Sequence, residues 1–261
     1  MNFRYVPVMR YRTQERGVLQ QTVFSDKVLP LIEVVSRSLR AGGTTTTLDR
    51  ISSLSSKIMV GFPLDLRLTS STRREVANFL GPLQVNPLRV LPLFSSLSNS
   101  PNVIPVVTYN PARYASTPTL LSQLAQGLRP TFPQLAFRVF FQGFDQALRE
   151  LLSLVTADDV LILDIDEAPH TTAVFQPLYA QLIALGADKH CATVLIRSAI
   201  PDSLTHVGLV NDAPIPQADN SLLTTYSAYG FSAFGDYAGI KKDLLEDGGT
   251  ISPGLIYVHV L

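Results

Sequence analysis

Ionisable or hydrogen-bonding side chains close most of the apolar runs in this chain: Arg10, Glu33, Asp65, Tyr109, Asp164 with Asp166, and Arg197. Carboxylates and guanidiniums in that arrangement admit two chemistries. Glu33, Asp65, Asp164 and Asp166 could form a catalytic set that holds one or two hard cations, Mg2+ or Mn2+, through oxygen ligands. Arg10, Arg67, Arg138 and Arg197 could neutralise the oxygens of a bound anion, with Tyr109 beside them. In Val160-Leu161-Ile162-Leu163-Asp164-Ile165-Asp166, strand alternation puts both aspartates on one face, about 7 Å apart at roughly 3.3 Å per residue. There they could share a cation or drive each other into different protonation states. Arg138 lies inside its own apolar run, Ala136-Phe137-Arg138-Val139-Phe140, and if it points inward it needs a buried acid or an anionic ligand. A purely structural ring of ion pairs between these acids and Arg10, Arg67, Arg138 and Arg197 accounts for the same residues. The sequence leaves the two open.

Positioning these side chains requires a regular scaffold. Short apolar runs predict strands at 4–10, 29–35, 57–65, 103–109, 136–141, 160–166, 192–199 and 224–231. Helices are predicted between them at 13–24, 47–55, 71–80, 117–127, 144–155 and 171–185. Ser71 and Thr117 are candidate N-caps, Pro118 suits a first helical position, and Gly186 is a candidate stop. Phe144, Leu148, Leu151 and Leu152 share one helix face, as do Leu178, Leu182 and Leu185. Strands alternating with helices pair in parallel through right-handed crossovers, and eight such units in 261 residues match a closed (β/α)8 barrel of the TIM type. An open doubly wound sheet is the competing architecture. The barrel is favoured because no Gly-x-Gly-x-x-Gly follows the first strand and the polar strand ends run along the whole chain. No linker divides it, so residues 1–261 read as one barrel-like domain ending in an apolar strand at 255–261. Segments 41–47, 95–100 and 211–220 read as loops.

Composition narrows the field further. The chain is 46% hydrophobic and 16% charged, with 21 basic residues against 21 acidic ones, which excludes a disordered chain and any sequence-wide pull toward nucleic acid or anionic lipid. A nucleic acid would need a local patch. The long uncharged stretch at 90–112 is interrupted by prolines and is not a spanning helix. No secretory h-region follows Met1, and the expectation is a cytoplasmic protein with no membrane partner. His170, His190, His206 and His259 lack zinc-ligand spacing, and most of them read as surface or loop residues. Neither a Gly-x-Ser-x-Gly elbow nor a Walker loop occurs. Cys191 reads as a packed residue rather than a nucleophile. Tyr226, Tyr229 and Tyr237 could stack a base or sugar, although aromatics beside strands more often fill the core.

The opening Tyr5-Val6-Pro7-Val8-Met9-Arg10-Tyr11, followed by Leu29-Pro30-Leu31-Ile32-Glu33-Val34, resembles the start of the phage and bacterial Beta protein family. Phe234-Gly235-Asp236-Tyr237 and Thr250-Ile251-Ser252-Pro253-Gly254-Leu255-Ile256-Tyr257 are similar to that family's Gly-Asp-Tyr and Thr-Pro-Gly-Ile-Ile-Tyr elements. The central Leu64-Asp65-Leu66-Arg67 and Leu161-Ile162-Leu163-Asp164 fit in order. The resemblance implies an association with phages, prophages and bacterial mobile or defence loci, and adds Asp236 and Tyr237 to the ligand-binding candidates. Members usually continue past the point where this chain stops. An unpaired strand as apolar as 255–261 is an aggregation hazard, so it is expected to pair within the fold or with a second subunit.

Two functional expectations follow. The first is binding without catalysis: the C-terminal strand rim holds an anionic small molecule or a segment of a phage or host protein. The second is a metal-dependent phosphoesterase or nuclease in which Glu33, Asp65, Asp164, Asp166 and Asp236 hold Mg2+ or Mn2+ while Arg10, Arg138 and Arg197 bind phosphate. A homo-oligomer assembled through the C-terminal strand is a third, purely structural role.

Overall fold

The computed structural model describes residues 2–37, 46–110, 114, 119–198 and 219–237. Eight strands, β1 (Tyr5–Arg10), β2 (Leu31–Glu33), β3 (Ile58–Gly61), β4 (Val103–Tyr109), β5 (Ala136–Phe140), β6 (Val160–Asp164), β7 (Ala192–Ile196) and β8 (Ala233–Asp236), pair in sequence order. Every pairing is parallel. The register of Tyr5, Val6 and Pro7 with Phe234, Gly235 and Asp236 closes β8 onto β1, so the architecture is a (β/α)8 barrel of the TIM type and the open sheet is excluded. Helices α1 (Thr13–Gln21), α2 (Thr47–Ser52), α3 (Arg74–Val85), α4 (Val90–Ser95), α5 (Leu120–Leu128), α6 (Phe144–Leu154), α7 (Phe175–Lys189) and α8 (Ser221–Thr225) fill the crossovers, two of them between β3 and β4.

Strand alternation sorts the apolar residues into two cores. Val6, Val8, Leu31, Met59, Ile104, Val106, Ala136, Val160, Ile162, Val194 and Ile196 point into the barrel and fill its lumen. The intervening residues meet the helices, where Leu120, Leu124, Leu128, Phe144, Leu151, Tyr179 and Leu182 cover the sheet. Being buried on both faces, the central strands are nearly continuous apolar runs.

Several boundaries differ from the sequence reading for physical reasons. Residues 224–231, expected as a strand, hold the end of α8 and a turn, and the eighth strand lies at Ala233–Asp236. Leu222 and Tyr226 bury one helical turn apart, and Gly230 (φ 97°) reverses the chain before β8. Helix α7 starts at Phe175, which puts Pro177 in the first turn where its missing N–H costs nothing. It runs through Gly186, whose absent side chain lets Thr193 approach to 2.4 Å from where a Cβ would sit, and ends on left-handed His190. Helix α3 begins at Arg74, past the candidate cap Ser71, and carries Pro82 within it. On α6 the buried face is Phe144, Ala147 and Leu151, while Leu152 is exposed. The α4 segment lies in a stretch given no helix by the sequence reading. Thr117, Pro118, His206, His259 and the apolar 255–261 segment lie outside the described residues.

At the seam of the barrel, a Cβ on inward-facing Gly235 would lie 2.6 Å from the carbonyl oxygen of Val6 and 2.8 Å from Ile196 Cγ1. Backbone on one side and core on the other leave nothing free to move. Gly235→Ala is therefore expected to destabilise the fold by about 1–3 kcal/mol, the cost of overpacking, read as a lowered urea midpoint with unchanged m-value.

His170 is 1% exposed and anchors α8 through its Nε2, 3.4 Å from Ser221 Oγ and 3.2 Å from Thr225 Oγ1. It is not a surface histidine. Burial, reinforced by the Arg197 charge and opposed by Asp219, lowers its pKa below the ordinary imidazole value of 6.5. Protonation is disfavoured in the folded state, so this contribution to stability is complete above pH 6.5 and is lost as pH falls through the lowered folded value. Urea titrations of wild type and His170→Gln at a series of pH values should show a steeper acid loss in the wild type.

Candidate functional site

The C-terminal strand ends converge as the barrel requires, but they divide into separate environments. Arg10, Glu33, Arg138 and Asp164 share the inward parity of the apolar lumen residues below them. Arg138, 1% exposed, reaches from β5 across the lumen to β2, where its Nη1 donates to Glu33 Oε1 at 2.7 Å. Its Nε and Nη2 donate to Asp164 Oδ2 at 3.1 and 2.7 Å, and Nη2 also donates to Tyr237 Oη at 2.5 Å. Tyr237 O–H in turn donates to Asp164 Oδ2 at 2.7 Å. The other oxygen of Glu33 accepts from Arg10 Nε at 3.3 Å. Two cations and two anions thus sit in one buried network. The rings of Phe140 and Tyr237 flank the guanidinium at 5.4 and 5.7 Å.

This network answers the demand that a buried arginine places on its surroundings. Burial opposes the charge of Arg138, but Tyr237, Asp164, Glu33 and Asp65 outweigh it and keep the guanidinium protonated well beyond its ordinary range. Burial pushes the Tyr237 phenol well above its ordinary value; Arg138 opposes that rise and the three carboxylates add to it. The phenol stays neutral and donates.

Asp166 departs from the alternation assumed from sequence. Strand β6 ends at Asp164, and Asp166 takes a left-handed backbone (φ 61°) whose N–H donates to Asp164 Oδ1 at 2.9 Å. Asp166 consequently leaves the lumen column and lines a cleft of about 330 Å³ at the mouth, with Asp65, Arg67, Asn110, Phe140, Gln142 and Glu167 among its walls. Asp65 connects the two environments, being close enough to act electrostatically on both Arg138 and Tyr237. Arg67 is exposed on the cleft edge.

The remaining candidates lie elsewhere. Tyr109 points outward into the helix layer, fully buried, and its hydroxyl accepts from Gln146 Nε2 at 3.0 Å. Arg197 and Asp236 have the outward parity of β7 and β8, next to inward Ile196 and Gly235. Arg197 pairs with Asp219 at 2.5 Å and Asp236 accepts from Tyr5 O–H at 2.8 Å, along a second cleft outside the barrel wall. Bonds from Ser221, with help from Arg197, hold the Asp219 carboxyl far below its usual range. The proposed cation set is thereby dispersed: Glu33 and Asp164 are bound to Arg138, Asp236 faces another cleft, and only Asp65 and Asp166 share a wall. Among the described residues no group of three or more His, Cys, Asp or Glu side chains is placed to hold a metal ion.

Three of the five side chains in the buried network come from motif segments: Arg10 ends the Tyr-Val-Pro strand, Glu33 ends Pro-Leu-Ile-Glu, and Tyr237 closes Gly-Asp-Tyr. A family model described as Beta protein matches residues 5–259, nearly the whole chain. The chain belongs to the Beta protein family. No curated protein and no solved structure matches it. In this Beta protein, segments far apart in sequence thus meet on one arginine.

Asn110, Gln142 and Glu167 belong to no motif in the sequence. Their only signal is position, one to three residues past a strand end, where side chains border the mouth. Among the described residues no helix is long and apolar enough to cross a membrane. Cys191 is half-buried, and burial first, then Asp159, raises its thiol to about 11, in keeping with a packed rather than reactive residue.

Removing one member of a buried ion network strands the others. Arg138→Ala should cost about 3–5 kcal/mol of stability, measured by urea unfolding. Arg138→Met combined with Glu33→Gln and Asp164→Asn removes the stranded charges and should recover part of that loss.

Proposed function

We propose that this protein works by binding rather than by catalysis, and that the cleft at the C-terminal mouth takes a segment of a protein partner bearing a basic or hydrogen-bond-donating side chain. The observation that carries this reading is the commitment of Arg138 to Glu33, Asp164 and Tyr237. The arginine best placed for an anionic ligand is buried and neutralised, and among the described residues the cleft beside it is lined by Asp65, Asp166 and Glu167 and by one cation, Arg67. An excess of carboxylates in a half-enclosed cleft attracts a cation and repels a phosphate. The phage and mobile-element association implied by the family supplies a class of partner, a phage or host protein.

Phosphoester hydrolysis through Mg2+ or Mn2+ is the weaker reading. It would have to strip Glu33 and Asp164 from Arg138, leaving a guanidinium buried without its counter-ions.

The test is a fluorescence-anisotropy screen of the protein against labelled Lys- or Arg-containing peptides and acidic counterparts, in parallel with phosphodiester turnover in Mg2+ or Mn2+. Basic peptides should bind, and Asp166→Asn with Glu167→Gln should weaken them about tenfold or more, the worth of charge-assisted contacts. Preference for acidic peptides, or metal-dependent turnover abolished by Asp164→Asn, would overturn the reading.

A further inference from the structure

The β1 corner of the rim gathers arginines used by neither the buried network nor the acidic cleft. Arg12 precedes the first turn of α1 without a side-chain cap to its amides, Arg16 lies one turn along, Arg50 is in α2 and Arg73 immediately precedes α3. The Nε atoms of Arg12, Arg16 and Arg50 are buried and have no hydrogen-bond partner among the described residues. Two hydroxyls are in the same condition: Tyr11 Oη, on a residue that is 0% exposed, and Thr47 Oγ1, on one that is 1% exposed. The Tyr11 phenol lies within electrostatic reach of both Arg16 and Arg50, and the Arg12 guanidinium within reach of Arg10 and Arg73. Thr47 and Arg50 share one face of α2 at a spacing of three.

Among the described residues, few acids face Arg12, Arg16 and Arg50. Glu15 pairs with Arg12 at 3.3 Å. Glu33 is shared between Arg10 and Arg138, and the Asp49 carboxylate is turned back onto the Thr46 amide in a capping box. What remains among the described residues is a convergence of like charges in which five buried N–H and O–H donors lack a partner against one unpaired acceptor, Glu15 Oε2, and each unpaired group costs free energy. Arg12, Arg16 and Arg50 are only partly buried, while their Nε atoms and the two hydroxyls lie beneath the surface.

An anion rich in acceptor oxygens would satisfy these donors together. A tetrahedral phosphate offers paired oxygens to the guanidinium fork and further oxygens to the two hydroxyls. The positive end of the α1 dipole adds to the attraction. We propose that Tyr11, Arg12, Arg16, Thr47 and Arg50 form a binding site for a phosphate-bearing anion, separate from the acidic cleft and independent of what that cleft takes.

Inorganic pyrophosphate is the probe, titrated calorimetrically into the full chain at low ionic strength, with orthophosphate and sulfate alongside. In parallel, arginine Nε–H resonances are followed by NMR on arginine-labelled protein. Saturable binding with about one site is expected. Arg16→Gln with Arg50→Gln should weaken it about tenfold or more while leaving the circular dichroism unchanged, and Tyr11→Phe should weaken it to a lesser degree. The Nε–H shifts should fall on Arg12, Arg16 and Arg50. Absence of saturable binding, shifts confined to Arg67 or Arg197, equal affinity in the double variant, or equal response to sulfate that vanishes in about 0.15 M salt as simple screening would predict, would each overturn the proposal. The wild-type resonance map decides even if a variant fails to fold.

Discussion

A guanidinium buried in the lumen of a closed barrel constrains everything around it. Arg138 cannot be left in a low-dielectric interior without counter-charges, so Glu33 must reach it from the opposite wall, Asp164 from the adjacent strand and Tyr237 from just beyond β8. Arg10 then balances the second oxygen of Glu33. The result is a neutral polar layer capping the apolar lumen, in which β1, β2, β5, β6 and the end of β8 are tied to one another by directional bonds. The apolar layers below can tolerate some sliding; these bonds cannot, because each has a narrow geometry.

That layer also determines what the mouth has left to offer. The carboxylates that looked most like cation ligands are consumed in neutralising an arginine, and the arginine that looked most like an anion ligand is consumed in return. Outside that layer, Asp65, Asp166 and Glu167 line a cleft on the β3 to β6 side, and Arg12, Arg16 and Arg50 lie beside β1 and α2 on the other.

A comparable solution holds the opposite end of the barrel. Asp159, fully buried before β6, accepts from Arg129 Nη1 and Nη2 at 2.9 and 2.7 Å, from the Leu135 amide at 2.8 Å and from the Thr156 amide at 2.8 Å. It fastens the turn between α5 and β5 to the start of β6. Carboxylates at the bottom of the barrel serve structure and those at the top are divided between structure and surface, a division that residue type alone does not reveal.

The sequence by itself determined the class of fold and most of its layout. Period-two and buried apolar runs separated by amphipathic stretches suffice for alternating strands and helices, and seven of the eight strands fall where those patterns put them, because burial on both faces imposes a compositional signature. The eighth escaped because Ala-Phe-Gly-Asp is too short and too poor in β-branched residues to carry one. It was also legible that Arg138 needed a partner. Which partner, and at whose expense, was not. Facing direction at a strand end depends on where alternation breaks, as at left-handed Asp166, and on whether a residue lies in the lumen or, like Tyr109, Arg197 and Asp236, on the outer wall. Only closure of the sheet brings residues 105 and 99 positions apart onto one guanidinium, because pairing across a lumen obeys the geometry of the barrel and leaves no periodic trace in the chain.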